Sequence, residues 1–176
     1  MSEPWIEPLR EGTVIPASPL ALDTDRQWSE RLPRGWASYY LDAGAKGIAV
    51  GVHTTQFSIR EHGLYENVLP SVADAIDNSP NGNPSIVRVA GICGDTQQAC
   101  GEADLARSSG YHAGLLTTNA VRDRTESEIL DHCRSVANVI PVFGFYLHAA
   151  VGGRTYSFRF WREFCNIPNV VAIKIA

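Results

Sequence analysis

The sequence predicts an α/β fold in which parallel strands alternate with helical crossovers, and three observations carry that prediction. Six short runs of β-branched and apolar residues punctuate the chain. Their first residues lie 34, 39, 28, 25 and 31 positions apart, close to the roughly 30 residues of one βα unit. The stretches between them have helical composition and end signals. Such even spacing suits either a closed barrel or a doubly wound sheet.

The first strand is expected at Thr13-Val14-Ile15. A helix follows around Arg26 to Asp42, where Pro33 and Gly35 force a kink or a later start, because proline lacks the backbone donor and clashes with the preceding turn. Next come a strand at Gly47-Ile48-Ala49-Val50, a helix from Leu64 to Ile76, a Pro/Gly/Asn loop from Asn78 to Pro84, and a strand at Ile86-Val87-Arg88-Val89-Ala90. The second half reads as a helix from Thr96 to Ser108, a strand at Gly114-Leu115-Leu116-Thr117 and a helix from Glu126 to Val136. A strand at Val139 to Phe143, a helix from Ser157 to Phe164 and a strand at Val170-Val171-Ala172-Ile173 complete it. Asp95 or Thr96, and Ser127 or Ser157, supply N-caps. Residues 1–11 read as an N-terminal extension of a single domain. A (β/α)8 TIM barrel takes about 250 residues, so as a barrel this chain would be incomplete, with about six of eight βα units.

Charge and composition narrow the function. With 15 Lys+Arg against 19 Asp+Glu and a pI of about 5.7, the chain lacks the basic surface that nucleic acid or anionic membrane partners require. No apolar run approaches the roughly 20 residues of a membrane span. The opening MSEPWIEPLREG has neither the basic nor the apolar region of a secretion signal, so a cytoplasmic location is expected. Cys93, Cys100, Cys133 and Cys165 match no zinc spacing and no dense disulfide framework, and read as reduced packing residues.

Thirteen of the 15 cationic residues are arginine, and the two lysines are Lys46 and Lys174. Lys174 ends the apolar run Asn169-Val170-Val171-Ala172-Ile173-Lys174, the pattern of a parallel strand covered on both faces. An ammonium in that setting is penalised by desolvation, which leaves a fraction of the amine neutral and nucleophilic. The carboxyl end of a parallel strand is also where barrel active sites gather. Spacing alone fits equally a strand-end lysine that reaches solvent along its aliphatic stem.

The run from Asn169 to Lys174 resembles the N-I-[VI]-G-I-K strand of the dihydrodipicolinate synthase and N-acetylneuraminate lyase family. These are class I aldolase-type barrels whose lysine forms a Schiff base with a 2-oxo acid. Other landmarks follow in the same order: Gly12 to Pro19 resembles the family's opening strand, Asp42 to Gly51 its second, Val89 to Gly94 its third, and Asn138 to Gly152 its fifth with a glycine-containing loop. The resemblance spans roughly residues 10 to 176. It implies a barrel of eight units with the lysine on the sixth strand, a small 2-oxo acid substrate such as pyruvate, no metal or other cofactor, and self-association, since members are often tetramers.

Two motifs depart from the family. Its second strand ends G-T-T-G-E, with both threonines on the substrate carboxylate; here Gly51-Val52-His53-Thr54-Thr55-Gln56 displaces them by two positions, and His53, Thr54 and Thr55 become the substrate-binding candidates. Its fourth strand ends T-P-Y-Y and carries a proton-shuttling tyrosine; here Thr118-Asn119-Ala120-Val121 has none. Another proton carrier is required, and Tyr146 is the first candidate, because a phenol can donate to a developing alkoxide. His148 is an alternative. Gly152 would let backbone approach the substrate, and Arg154 could clamp its carboxylate. The resulting expectation is a carbon–carbon lyase or aldolase-like enzyme acting through Lys174. Its alternatives are a non-catalytic truncated or degenerate barrel, a ligand-binding barrel without the proton relay, and, more weakly, a metal enzyme using His53 and His148.

Overall fold

A computed structural model of the chain describes residues 3–149 and 153–175. Among the described residues five strands form: β1 (Gly47–Val50), β2 (Val87–Ile92), β3 (Ala113–Leu116), β4 (Val142–Tyr146) and β5 (Val170–Ile175). Six α-helices accompany them among the described residues: α1 (Ile6–Glu11), α2 (Arg31–Asp42), α3 (Tyr65–Asp77), α4 (Thr96–Ser108), α5 (Glu126–Ala137) and α6 (Phe158–Cys165). The sheet order is β1-β2-β3-β4-β5. A doubly wound sheet reverses its direction of growth at a switch point; here each strand lies beside its neighbours in sequence. That is the winding of a (β/α)8 barrel, present in part.

The first expected strand is reduced to one parallel bridge, Ala17 to Ala49. Ser18 N–H donates to the Ala49 carbonyl at 2.8 Å and Ala49 N–H to that of Pro16 at 2.9 Å. Pro16 and Pro19 cannot donate, so the ladder ends on both sides of Ala17. β4 starts at Val142, three residues later than Val139. Val139 and Ile140 still donate to the Val136 carbonyl, and Pro141 has no N–H to give. α2 begins at Arg31, which leaves Pro33 in the first turn, where backbone donors lack intrahelical partners anyway.

The chain divides into two compact units. One comprises residues up to Ala90 together with Ser109–His112. Here β1 and β2 pair in parallel from Gly47 opposite Val87 to Val50 opposite Ala90, and every residue of β1 is buried. α2 packs against α3, and Ile48, Leu69 and Ile76 are fully buried. The segment read as an N-terminal extension forms α1, and Trp5 before it is buried with its ring stacked on His112 at 5.4 Å.

The other unit comprises Gly91–Ser108 and the chain from Ala113 onward. β3 pairs with β4 in parallel, Gly114 opposite Val142. α4 and α5 pack together, as do α5 and α6. Asp95 caps α4, its carboxylate accepting from Gln98 N–H at 2.9 Å. Thr125, not Ser127, caps α5 through a reciprocal box with Glu128, and Ser157 caps α6. Cys133 is buried, which pushes its thiol up to about 12, whereas Cys165 is exposed. No helix among the described residues is long and apolar enough to cross a membrane.

Candidate active site

The aim of Lys174 is set by a bulge. β4 and β5 pair Val142 with Val170, but the next pair is Phe143 with Ala172, so Val171 is the extra residue. Beyond it Phe145 lies opposite Lys174, and Tyr146 opposite Ile175. Side chains alternate faces along a strand. Gly144 backs onto Phe164 of α6, where an added Cβ would lie 2.6 Å from the ring, so Val142, Gly144 and Tyr146 face the helices. Phe143, Phe145, Ala172 and Lys174 therefore face the other side. The Lys174 ammonium lies 4.8 Å from the centre of the Phe145 ring.

The same register corrects the expectation for Tyr146. Its ring packs edge-on against Trp161 of α6, 5.7 Å between centroids, on the face opposite Lys174. Without the bulge, Tyr146 would pair directly with Lys174. The expected burial of the lysine is also absent. Lys174 is exposed, as is Ile175 beside it, because β5 is the last strand in the sheet order and no described element lies along its far edge.

A small hollow of about 10 Å³, room for one water, lies at the carboxyl ends of β3 and β4, lined by Thr118, Asn119, Arg122, Phe145, Arg154 and Tyr156 among others. Phe145 thus joins it to Lys174. Arg154 Nη1 donates to the carbonyls of Arg122 and Arg124, each at 2.6 Å, and its guanidinium lies 5.3 Å from the Tyr156 ring centre. The other guanidinium N–H groups remain for a ligand. Tyr156 is buried, its hydroxyl 2.7 Å from the Thr118 hydroxyl. Burial raises its pKa against the lowering effect of that hydrogen bond, so the phenol stays neutral. No carboxylate lines the hollow.

Tyr156 was not among the residues singled out from sequence, although a local signal marks it. It stands just before the cap Ser157, four residues beyond which is Trp161, and the two rings meet edge-on at 5.7 Å. An apolar pair at these positions is a hydrophobic staple. Its ring also stacks on Phe160 at 4.1 Å.

The residues expected to bind carboxylate after β1 lie in the first unit. His53–Thr55 is one 3₁₀ turn. His53 is exposed and stacks on Phe57 at 5.8 Å, and Thr54 is exposed. Thr55 is buried with its hydroxyl committed: Oγ1 accepts from Gly51 N–H at 3.1 Å and donates to the Ser18 carbonyl at 2.5 Å. Its N–H donates to the Val52 carbonyl. Thr55 therefore pins the loop to the Ala17 segment, and its hydroxyl has no proton left to donate to a carboxylate. His148 is exposed, and Gly152 lies outside the described residues.

No protein-family model and no curated protein sequence matches the chain. Solved structures match its fold. N-acetylneuraminate lyase from Mycoplasma synoviae superposes with a TM-score of 0.76 at 17% identity, over 93% of this chain and 54% of that one. The chloride-inhibited dihydrodipicolinate synthase from Acinetobacter baumannii, solved with pyruvate, gives 0.80 at 19% identity, over 93% and 55%. The catalytic lysine mutant of Ruminococcus gnavus sialic acid aldolase gives 0.78 at 17%, over 93% and 53%. At these identities the likeness is one of fold, and it is the fold that the motif resemblance implied. The chain spans about half the length of each structure it matches.

Proposed function

We propose that this chain is part of a class I carbon–carbon lyase or aldolase of the dihydrodipicolinate synthase and N-acetylneuraminate lyase family. In this reading Lys174 forms a Schiff base with a small 2-oxo acid such as pyruvate, the compound bound in the Acinetobacter enzyme. One observation carries the reading. The lysine is turned by the β5 bulge onto Phe145, beside a hollow that offers two arginines and a tyrosine–threonine hydroxyl pair but no acid. Self-association belongs to the same reading and rests on the resemblance.

The steps follow from these groups. Arg122 and Arg154 hold the substrate carboxylate. The unprotonated Lys174 amine attacks the C2 ketone, and the carbonyl oxygen takes up a proton to give a carbinolamine. Tyr156 donates a proton to the departing hydroxyl, water leaves, and the amine nitrogen becomes a protonated imine. The imine receives the electron pair of a breaking C3–C4 bond as the C4 hydroxyl gives its proton to the Tyr156 phenolate and departs as an aldehyde, or that of a C3–H bond whose proton passes to the same phenolate, and an enamine forms. Addition of the enamine to an aldehyde reverses the cleavage. The imine is itself the electron sink, so no metal enters these steps.

Enamine formation exchanges the methyl protons of pyruvate with solvent. The expected result is deuterium uptake into pyruvate in D₂O, followed by proton NMR, with uptake abolished by Lys174→Arg. Uptake at the uncatalysed rate in the unmodified protein would contradict the proposal. The exposure of Lys174 favours a second reading, a barrel that binds 2-oxo acids without turning them over; pyruvate binding unaffected by Lys174→Ala, with no exchange, would favour it.

A further inference from the structure

We propose that the first unit holds a separate binding site for a small amphipathic carboxylate, independent of the lysine chemistry. It is an open cavity of about 630 Å³, within the range of roughly 300–1,000 Å³ usual for small-molecule sites. Two loops build it, one following the Ala17 bridge and the other following β1.

Both walls are held firmly. On the first, Leu22 and Trp28 form an antiparallel bridge, Asp23 N–H donates to the Gln27 carbonyl at 2.9 Å, and the Asp23 carboxylate accepts from Asp25 and Gln27 N–H at 3.0 and 2.8 Å. This turn holds Arg26 at φ 59° and occupies the Asp23 carboxylate with backbone donors. On the second wall, Gln56 sits at φ 72°, ψ 125° between two 3₁₀ turns, anchored through its neighbour Thr55. Among the described residues three non-glycine positions have positive φ, and two of them line this one cavity. Such backbone is costly and persists only where its surroundings impose it; it gathers at ligand sites.

The chemistry of the lining selects the ligand. Arg26, Gln27, Gln56, Ser58 and His62 present hydrogen-bond donors, and no carboxylate lines the cavity. The side chains of Arg26, Gln56, Ser58 and His62 make no hydrogen bond or ion pair among the described residues. A guanidinium fork with neutral donors around it fits a carboxylate. Leu20, Trp28 and Ile59 form the apolar part of the wall, which suits a hydrocarbon body on that carboxylate.

The test titrates the protein with 3-phenylpropionate and, separately, with its uncharged amide, followed by ¹H–¹⁵N NMR. The expected result is saturable shifts within residues 20–28 and 56–64, with the amide at least about tenfold weaker. Arg26→Asn should weaken the acid about tenfold or more, as expected for loss of a charge-assisted hydrogen bond, and leave the amide unchanged; asparagine tolerates the left-handed backbone. Ser58→Leu, which fills the cavity, should abolish binding of both. Equal binding of acid and amide, unaltered affinity in either variant, shifts confined to the Arg122 and Arg154 hollow, or no binding at millimolar ligand would overturn the proposal. Pyruvate exchange is read separately, so its loss or survival bears only on the Lys174 reading.

Discussion

A buried phenol that keeps one hydroxyl partner is suited to passing a proton, and Tyr156 with Thr118 has that arrangement. Tyr156→Phe retains the stack on Phe160 and the contact with Trp161, so thermal stability should change little. Deuterium uptake into pyruvate should fall about 10²-fold, the lower end of what a positioned acid–base group contributes. Unchanged uptake would remove Tyr156 from the reaction. A different residue gives a pH signature. Burial, reinforced by the Arg88 charge, holds His112 down to about 4, whereas an unfolded histidine titrates near 6.5. Between those values the unfolded chain binds a proton that the folded chain does not, so this contribution is complete above about pH 6.5 and is lost as the pH falls towards 4. The ring is partly solvated, and the expected loss is on the order of 2 kcal/mol. Denaturant melts at pH 7 and pH 4.5 should show it, with a shallower dependence in His112→Phe. At this scale the sequence was informative about residue types but not about their hydrogen bonds: the threonine at 55 could be read as a free hydroxyl because nothing local reveals that the carbonyl of Ser18, 37 positions away, accepts its hydrogen bond.

The elements were legible wherever local chemistry decides them. β1 falls on the expected run and α4 on the expected helix, because apolar runs and an Asp cap are local signals. Misses came where proline or register intervened. Pro16 and Pro19 reduced the first strand to a bridge, and Pro141 delayed β4. The bulge at Val171 has no comparable signature, since an extra valine in an apolar β-branched run resembles any other strand residue, yet it decides which face Lys174 takes. Deleting Val171 restores a continuous register and should turn Lys174 towards α6, beside Tyr146. A folded deletion variant is expected to lose pyruvate exchange as completely as Lys174→Arg does; retained exchange would show that the bulge does not aim the lysine.

At the scale of the whole molecule, spacing and strand count pointed to a wound α/β fold, and the sequential strand order together with the superposed aldolase and lyase structures bears that out. Burial of the lysine was not legible, because it depends on what lies against β5. In the described structure β5 ends the sheet order, with Val171 40% and Ile175 78% exposed. An exposed apolar edge strand pairs readily with another chain, so sedimentation should show concentration-dependent association that Ile175→Lys reduces. The proposed chemistry depends on one amine, and the scarcity of lysine makes its test simple. Lys46 is exposed just before β1, at the amino end of a strand, and Lys174 lies near the carboxyl end of β5. Borohydride reduction in the presence of labelled pyruvate, followed by peptide mapping, should place the label on Lys174 alone. Label on Lys46, or on neither lysine, would contradict the account.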